Sequence, residues 1–278
     1  MIPPIASNFV AGDGPAEALE HVRELNDGGV YGILNLLGEH YEERPPADED
    51  ADAYVDLVSD IQGSGVDACV SVKPSQIGLD VSDRAFEENL SRIVDHAASR
   101  GVFVWIDMED HTTTDVTLGA YERLTRQTDG MVGVCVQANL KRTGDDLTRL
   151  APLPGKVRLV KGAYDEPKEI AYKQKGEVDR AYREYLDYMF REFKGGVAVG
   201  SHDPAMIEYA EELNEMYGTD FEIQMLMGVR EDAQFELATE YEVWQYVPYG
   251  DKWFSYFYRR VRERKENALF ALRAVMGN

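Results

Sequence analysis

Four charged side chains stand inside or at the end of otherwise apolar runs. Arg158 lies between Val157 and Leu159, and Lys161 follows Val160. Asp107 follows Trp105 and Ile106, and Lys73 follows Val70, Ser71 and Val72. An ion in such a place is costly unless it meets a partner or lines a wet cavity. Each one singly is compatible with a buried ion-pair network. Together they point to a site that handles charge. Cations outnumber anions among them, so the ligand should be anionic: a carboxylate, a phosphate, or both. Lys161-Gly162-Ala163 has the form of a phosphate contact, a lysine beside backbone that can be approached closely. Arg259 and Arg260 form a second feature. Two guanidinium forks suit a small carboxylate if their helix lies across a pocket. They equally suit a solvated helix face, since Arg262, Arg264 and Lys265 follow.

Short β-branched runs must position these groups. Strands are expected over residues 31–37, 68–72, 103–108, 132–137, 157–161, 197–201, 221–226 and 243–247. Several are apolar on consecutive residues, as parallel strands covered on both faces require. Amphipathic stretches lie between them at 53–61, 86–97, 182–193 and 207–216, with an opening helix at 15–25. Residues 42–52, with Pro45, Pro46 and a run of acids, read as an exposed loop entering a helix. Strand and helix alternate at roughly 30 residues per unit, as βαβ units do. The choice is then a closed barrel or a doubly wound sheet. Eight strands favour the barrel, as does the lack of a GxGxxG after the first strand. The expected fold class is α/β, a single (βα)8 barrel domain over residues 1–278 with a short N-terminal helix. In such a barrel the site forms at the strand C-termini. There the sequence places Lys73, Asp107, Gln137, Lys161, Ser201 with His202, Leu226 and Tyr246.

Composition narrows the function classes. The 278 residues suit one such barrel, and 44% are apolar. No run approaches the ~20 apolar residues of a membrane span. The opening MIPPIASNFV lacks a basic segment followed by a long apolar run, so no signal peptide and a cytoplasmic protein are expected. Cys69 and Cys135 each sit in a β-like apolar run and read as buried small hydrophobes. No Cys/His cluster has zinc spacing, so no metal is expected. The net charge of -22 argues against nucleic acid and against a polybasic membrane contact. The acid is spread along the chain and arginine outnumbers lysine. Such a surface suits a salt-rich cytoplasm, where screening removes self-repulsion.

Several segments resemble the proline dehydrogenase family. Val157–Tyr164 (VRLVKGAY) is similar to its fifth-strand signature. YVPYG at 246–250, with Tyr258-Arg259-Arg260 and Glu266-Asn267, resembles its eighth strand and final helix. SVKPS at 71–75, WIDME at 105–109, QANLKR at 137–142 and QMLMG at 224–228 follow in the family's order. The resemblance covers nearly the whole chain.

It implies a distorted barrel holding FAD at the strand C-termini. It implies oxidation of L-proline to Δ1-pyrroline-5-carboxylate, by hydride transfer from C5 to flavin N5, with a membrane quinone as electron acceptor. By the same resemblance Arg158 lies beside the flavin N5, and Met108 and Gln137 touch the isoalloxazine. Lys161, Gly162 and Ala163 meet the ribityl and phosphate region, and Ser201 and His202 line the FAD. Lys73, Arg259 and Arg260 bind the proline carboxylate, while Tyr164, Leu226 and Tyr246 wall the ring. Asp107 orients Lys73 and Tyr246, which makes Asp107 and Arg158 the implied catalytic pair. Tyr246 suits proline better than a hydroxylated proline. No aldehyde dehydrogenase region is present, so a monofunctional member is expected, at most transiently associated with the membrane. Two positions depart from the family: Asn139 replaces a common tyrosine, and Asp165 stands where an aromatic often follows Tyr164. Two rivals differ in colour. A barrel aldolase or isomerase using a strand-end lysine needs no flavin, and a flavin-binding sensor does not react with proline.

Overall fold

A computed structural model describes residues 7–254 together with Tyr256 and Tyr258. Eight parallel strands close into a barrel in the order β1 to β8. They are β1 (Tyr31–Leu36), β2 (Ala68–Val72), β3 (Val104–Ile106), β4 (Val132–Gln137), β5 (Val157–Val160), β6 (Val197–Gly200), β7 (Phe221–Leu226) and β8 (Glu242–Tyr249). Closure is made by β1 against β8, in register from Tyr31 with Trp244 to Leu36 with Tyr249. The helices are α1 (Pro15–Asp27), α2 (Arg44–Ser64), α3 (Asp83–Ala98), α4 (Thr114–Gln127), α5 (Thr143–Leu150), α6 (Lys175–Glu192), α7 (Pro204–Tyr217) and α8 (Glu231–Leu237).

The core lies between strands and helices. Leu34, Val70, Val104, Val134, Leu159, Val199 and Ile223 meet the apolar helix faces, which include Leu57, Leu90, Leu124 and Leu186, and all are buried. Each fully buried aliphatic side chain of this kind stabilises the fold by about 1.5–3 kcal/mol. Successive strand residues point to opposite faces, so the alternate set fills the barrel interior. Ile33, Cys69, Trp105 and Ala198 form a separate buried cluster there. Cys69 and Cys135 are both buried free thiols.

The eight strands stand where the apolar runs predict them, and the ends differ by up to two residues. The exception in character is 42–52, which is helical from Arg44 onward. Pro45 and Pro46 sit in the first turn of α2, where a missing N–H costs nothing and the fixed φ suits the helix. The acids that suggested a loop flank Ala47 and Ala51, which α2 buries. Beyond Ile106 the chain leaves the ladder after one last bond, from the Asp107 amide to the Val72 carbonyl at 2.9 Å. That early exit places Asp107 at the barrel mouth.

Candidate active site

Asp107 gathers side chains from three other strands. Its Oδ1 accepts from the Ser71 hydroxyl at 2.7 Å and from the Arg158 guanidinium. Its Oδ2 accepts from the Tyr246 hydroxyl at 2.7 Å and from Lys73 Nζ at 3.3 Å. β2 supplies Ser71 and, just past its end, Lys73, two residues apart and therefore on one face. β5 supplies Arg158 and β8 supplies Tyr246.

The electrostatics follow from this arrangement. Burial by itself would raise the Asp107 carboxyl. Lys73 and Arg158, with the hydrogen bonds from Ser71 and Tyr246, outweigh burial and hold it at about 2. Burial pulls Lys73 down, and the negative charge of Asp107, helped by Tyr164, Glu109 and Glu39, together outweighs it, so the amine is held above its ordinary value. Burial and the adjacent carboxylate push up the Tyr246 hydroxyl, which therefore stays a neutral donor. Two cations thus share one carboxylate, leaving a net positive centre at the mouth. Arg158 also lies over the Trp105 ring, 4.9 Å from its centroid, a contact that favours a desolvated cation.

Around this centre, Tyr164 is half-buried and close enough to feel the Lys73 charge. Met108, two residues past the end of β3, and Gln137, the last residue of β4, are both buried. Gln137 donates to the Glu109 carbonyl at 2.8 Å. The Glu109 carboxylate takes both the amide and the hydroxyl of Ser75 at 2.7 Å each, which ties the loop after β2 to the loop after β3.

A second sector follows β5 and β6. Lys161 Nζ lies between Asp179 of α6 at 2.6 Å and Asp203 at 2.7 Å. Its charge is thus already met by two carboxylates, and a phosphate here would share it with them. Asp203 also caps α7 by accepting from the Ala205 amide. Ser201 accepts from the Asp203 amide at 3.1 Å. His202 Nε2 accepts from the Leu226 amide at 3.2 Å, so its proton resides on Nδ1. Gly162 has φ +105°, and a Cβ there would stand 2.2 Å from Asn139 Oδ1. That Oδ1 is buried and has no hydrogen-bond partner among the described residues. Ala163 is exposed beside it. Asp165 is turned away from the site, exposed and paired with Lys173 at 2.6 Å.

The structure therefore brings Lys73, Asp107, Arg158 and Tyr246 into one network, with Tyr164 near Lys73. It sets Lys161, Gly162, Ser201 and His202 in the neighbouring sector, and bonds Leu226 to His202. Arg259 and Arg260 lie outside the described residues. Sequence reasoning assigned no role to Ser71, Trp105 or Gln224, which all contact the charged centre. Alternation was the available signal, since each stands two residues from a chosen site residue on the same strand face. Among the described residues no group of three or more His, Cys, Asp and Glu side chains could hold a metal.

Comparison with known proteins identifies the family. The family model described as proline dehydrogenase matches residues 18–273. The chain is 36% identical to a proline dehydrogenase of Deinococcus radiodurans, over 98% of this chain and 90% of that protein. It is 34% identical to proline dehydrogenase 1 of Bacillus subtilis, again over 98% and 90%. The fold superposes on proline utilization A from Bdellovibrio bacteriovorus, inactivated by N-propargylglycine, with a TM-score of 0.85 at 23% identity, covering 92% of this chain. The chain spans 32% of that longer protein. Proline utilization A from Corynebacterium freiburgense superposes with a TM-score of 0.80 at 23% identity, over 96% of this chain and 31% of that one. With a family match across most of its length and relatives above 30% identity at nearly full coverage, this chain belongs to the proline dehydrogenase family of oxidoreductases.

Proposed function

We propose that this protein oxidises L-proline to Δ1-pyrroline-5-carboxylate with FAD, and that a membrane quinone takes the electrons. The observation that carries the reading is the Asp107 centre, in which Lys73 and Arg158 share one carboxylate at the barrel mouth. Such a centre attracts an anion and keeps both cations in fixed places.

The residues present suit FAD. Arg158 is a buried, permanently charged donor, and Gln137 is a buried amide at the next strand end. The Cβ-free approach at Gly162 and the Asn139 Oδ1, which has no hydrogen-bond partner among the described residues, suit a hydroxylated chain passing between β4 and β5. When bound, FAD supplies the two-electron acceptor for hydride from the proline carbon beside nitrogen. Met108 and Gln137 would pack on its ring, Lys161, Gly162 and Ala163 would hold its ribityl and phosphate chain, and Ser201 and His202 would line it.

The chain's own part is orientation and charge. Lys73, with Arg259 and Arg260, would hold the proline carboxylate, and Tyr164, Leu226 and Tyr246 would enclose the ring. Asp107 sets Lys73 and Tyr246 in position. The same cations disfavour protonation of the substrate amine, so the reactive neutral amine is favoured. Arg158 favours negative charge at the adjoining redox ring. This reading requires no protein base. A cytoplasmic enzyme that meets the membrane transiently fits the absence, among the described residues, of any helix long and apolar enough to cross one.

The test is an anaerobic absorbance spectrum of the FAD-loaded protein before and after L-proline. Bleaching of the flavin band is the expected result. A flavin band that proline leaves unchanged, or no flavin binding, overturns the proposal.

A further inference from the structure

A second polar chain runs from the charged centre toward the opposite end of the barrel. Arg158 Nη1 donates to Gln224 Oε1 at 2.8 Å. Gln224 Nε2 donates to Glu222 Oε1, and Lys156 Nζ donates to Glu222 Oε2. Lys156 lies 3.7 Å from Glu242 at the start of β8. Lys156 and Arg158 are two residues apart at β5, and Glu222 and Gln224 are two apart on β7, so all four face inward. β6 lies between these strands and contributes only Ala198 and Gly200 at these levels. Those small residues leave the room for β5 and β7 side chains to meet.

The chain has a direction imposed by chemistry. A guanidinium has donors only, so Gln224 must turn its carbonyl to Arg158. A carboxylate has acceptors only, so Glu222 takes the Gln224 NH₂. Lys156 donates to the other Glu222 oxygen and pulls its pKa down, against the burial of a carboxylate that is 3% exposed, which is the larger effect and leaves it raised. Each link admits one orientation, and the last link is the guanidinium at the active centre.

We infer that Gln224 and Glu222 are positioning residues for Arg158: Gln224 holds one terminal nitrogen of the guanidinium while Asp107 holds the other, and Glu222 locks the Gln224 amide in the required orientation. The inference rests on the proposed reading, in which Arg158 adjoins the redox ring. Its consequence is that the rate of the redox step and the potential of the bound flavin depend on a carboxylate remote from the substrate, while proline affinity does not.

The experiment uses FAD-loaded protein and four variants: Gln224→Leu, Glu222→Gln, Lys156→Met, and the double variant K156M/E222Q. Proline bleaching is followed anaerobically, together with the flavin reduction potential and the melting temperature. In Gln224→Leu the bleaching rate should fall about ten-fold or more, the potential should become more negative, and the half-saturating proline should stay within about two-fold, ten-fold being about 1.4 kcal/mol. In Glu222→Gln the new amide turns its carbonyl to Lys156 and its NH₂ to Gln224, which rotates Gln224 away from Arg158 and slows bleaching. Removing Lys156 as well lets that amide present its carbonyl to Gln224, so the double variant should regain rate and potential relative to Glu222→Gln. Rates and potentials equal to wild type in Gln224→Leu and Glu222→Gln overturn the inference. So do losses that track melting temperature or flavin content, or a double variant no faster than Glu222→Gln. Failure of the underlying reading is distinct, because wild type itself would then not bleach with proline.

Discussion

At the scale of single residues, Asp107 is the side chain on which most depends. Replacing it with asparagine removes the negative charge shared by the buried Arg158 and the half-buried Lys73. Breaking a buried pair from one side costs about 3–5 kcal/mol, so Asp107→Asn should shift the urea midpoint well below that of wild type at neutral pH. The same residue sets an acid limit. Its carboxyl is held at about 2 in the folded protein against 3.8 when unperturbed. A depressed folded value means the contribution is complete above pH about 4 and is lost as pH falls toward about 2. It amounts to roughly 2 kcal/mol. Urea midpoints measured between those pH values should fall more steeply in wild type than in Asp107→Asn, and parallel curves would refute the assignment. The proposed carboxylate role of Arg259 has its own reading. Arg259→Ala should lose roughly 2–5 kcal/mol of proline binding, seen as a raised half-saturation in flavin bleaching, and an unchanged value would remove that residue from the substrate site.

Elements matter through where they stop. β3 ends at Ile106, which hands Asp107 to the mouth, while β5 ends at Val160 and hands on Lys161. The turn after β5 depends on Gly162, whose φ of +105° disfavours any other residue and whose missing Cβ leaves the Asn139 amide in place. Gly162→Ala should cost about 1–3 kcal/mol from backbone strain, displace Asn139 and speed flavin loss in dialysis. A variant that melts with wild type and retains flavin equally would show that the close approach at this turn is not needed. The α7 N-terminus links stability to the site in another way, because Asp203 both caps the helix and holds Lys161.

For the whole molecule the dominant quantity is a net charge of -22. Self-repulsion of that size opposes folding at low ionic strength and is screened by salt. We propose that the acidic surface is an adaptation to a salt-rich cytoplasm. Melting temperature should then rise with KCl from low to molar concentrations. A steady fall would show that local ion pairs outweigh the general repulsion.

Local periodicity was enough to place eight strands in order, because alternation and apolar runs depend on neighbours a few residues away. It also identified Arg158, Asp107 and Lys73, because an ion in an apolar strand is conspicuous without its partner. The motif resemblance supplied the family, which full-length relatives then bore out. Local pattern misread 42–52, where prolines serve equally in a loop or in a first helical turn, and the packing of Ala47 and Ala51 decides. Only barrel closure could show that one carboxylate serves Ser71, Lys73, Arg158 and Tyr246. Asp107 is 34 positions from Lys73, 51 from Arg158 and 139 from Tyr246. Tertiary structure likewise decided that Lys161 is already neutralised by α6 and α7, and that Ala198 and Gly200 let β5 reach β7. Such pairings depend on strand register and on the space left between strands, and neither is a property of any short stretch of chain.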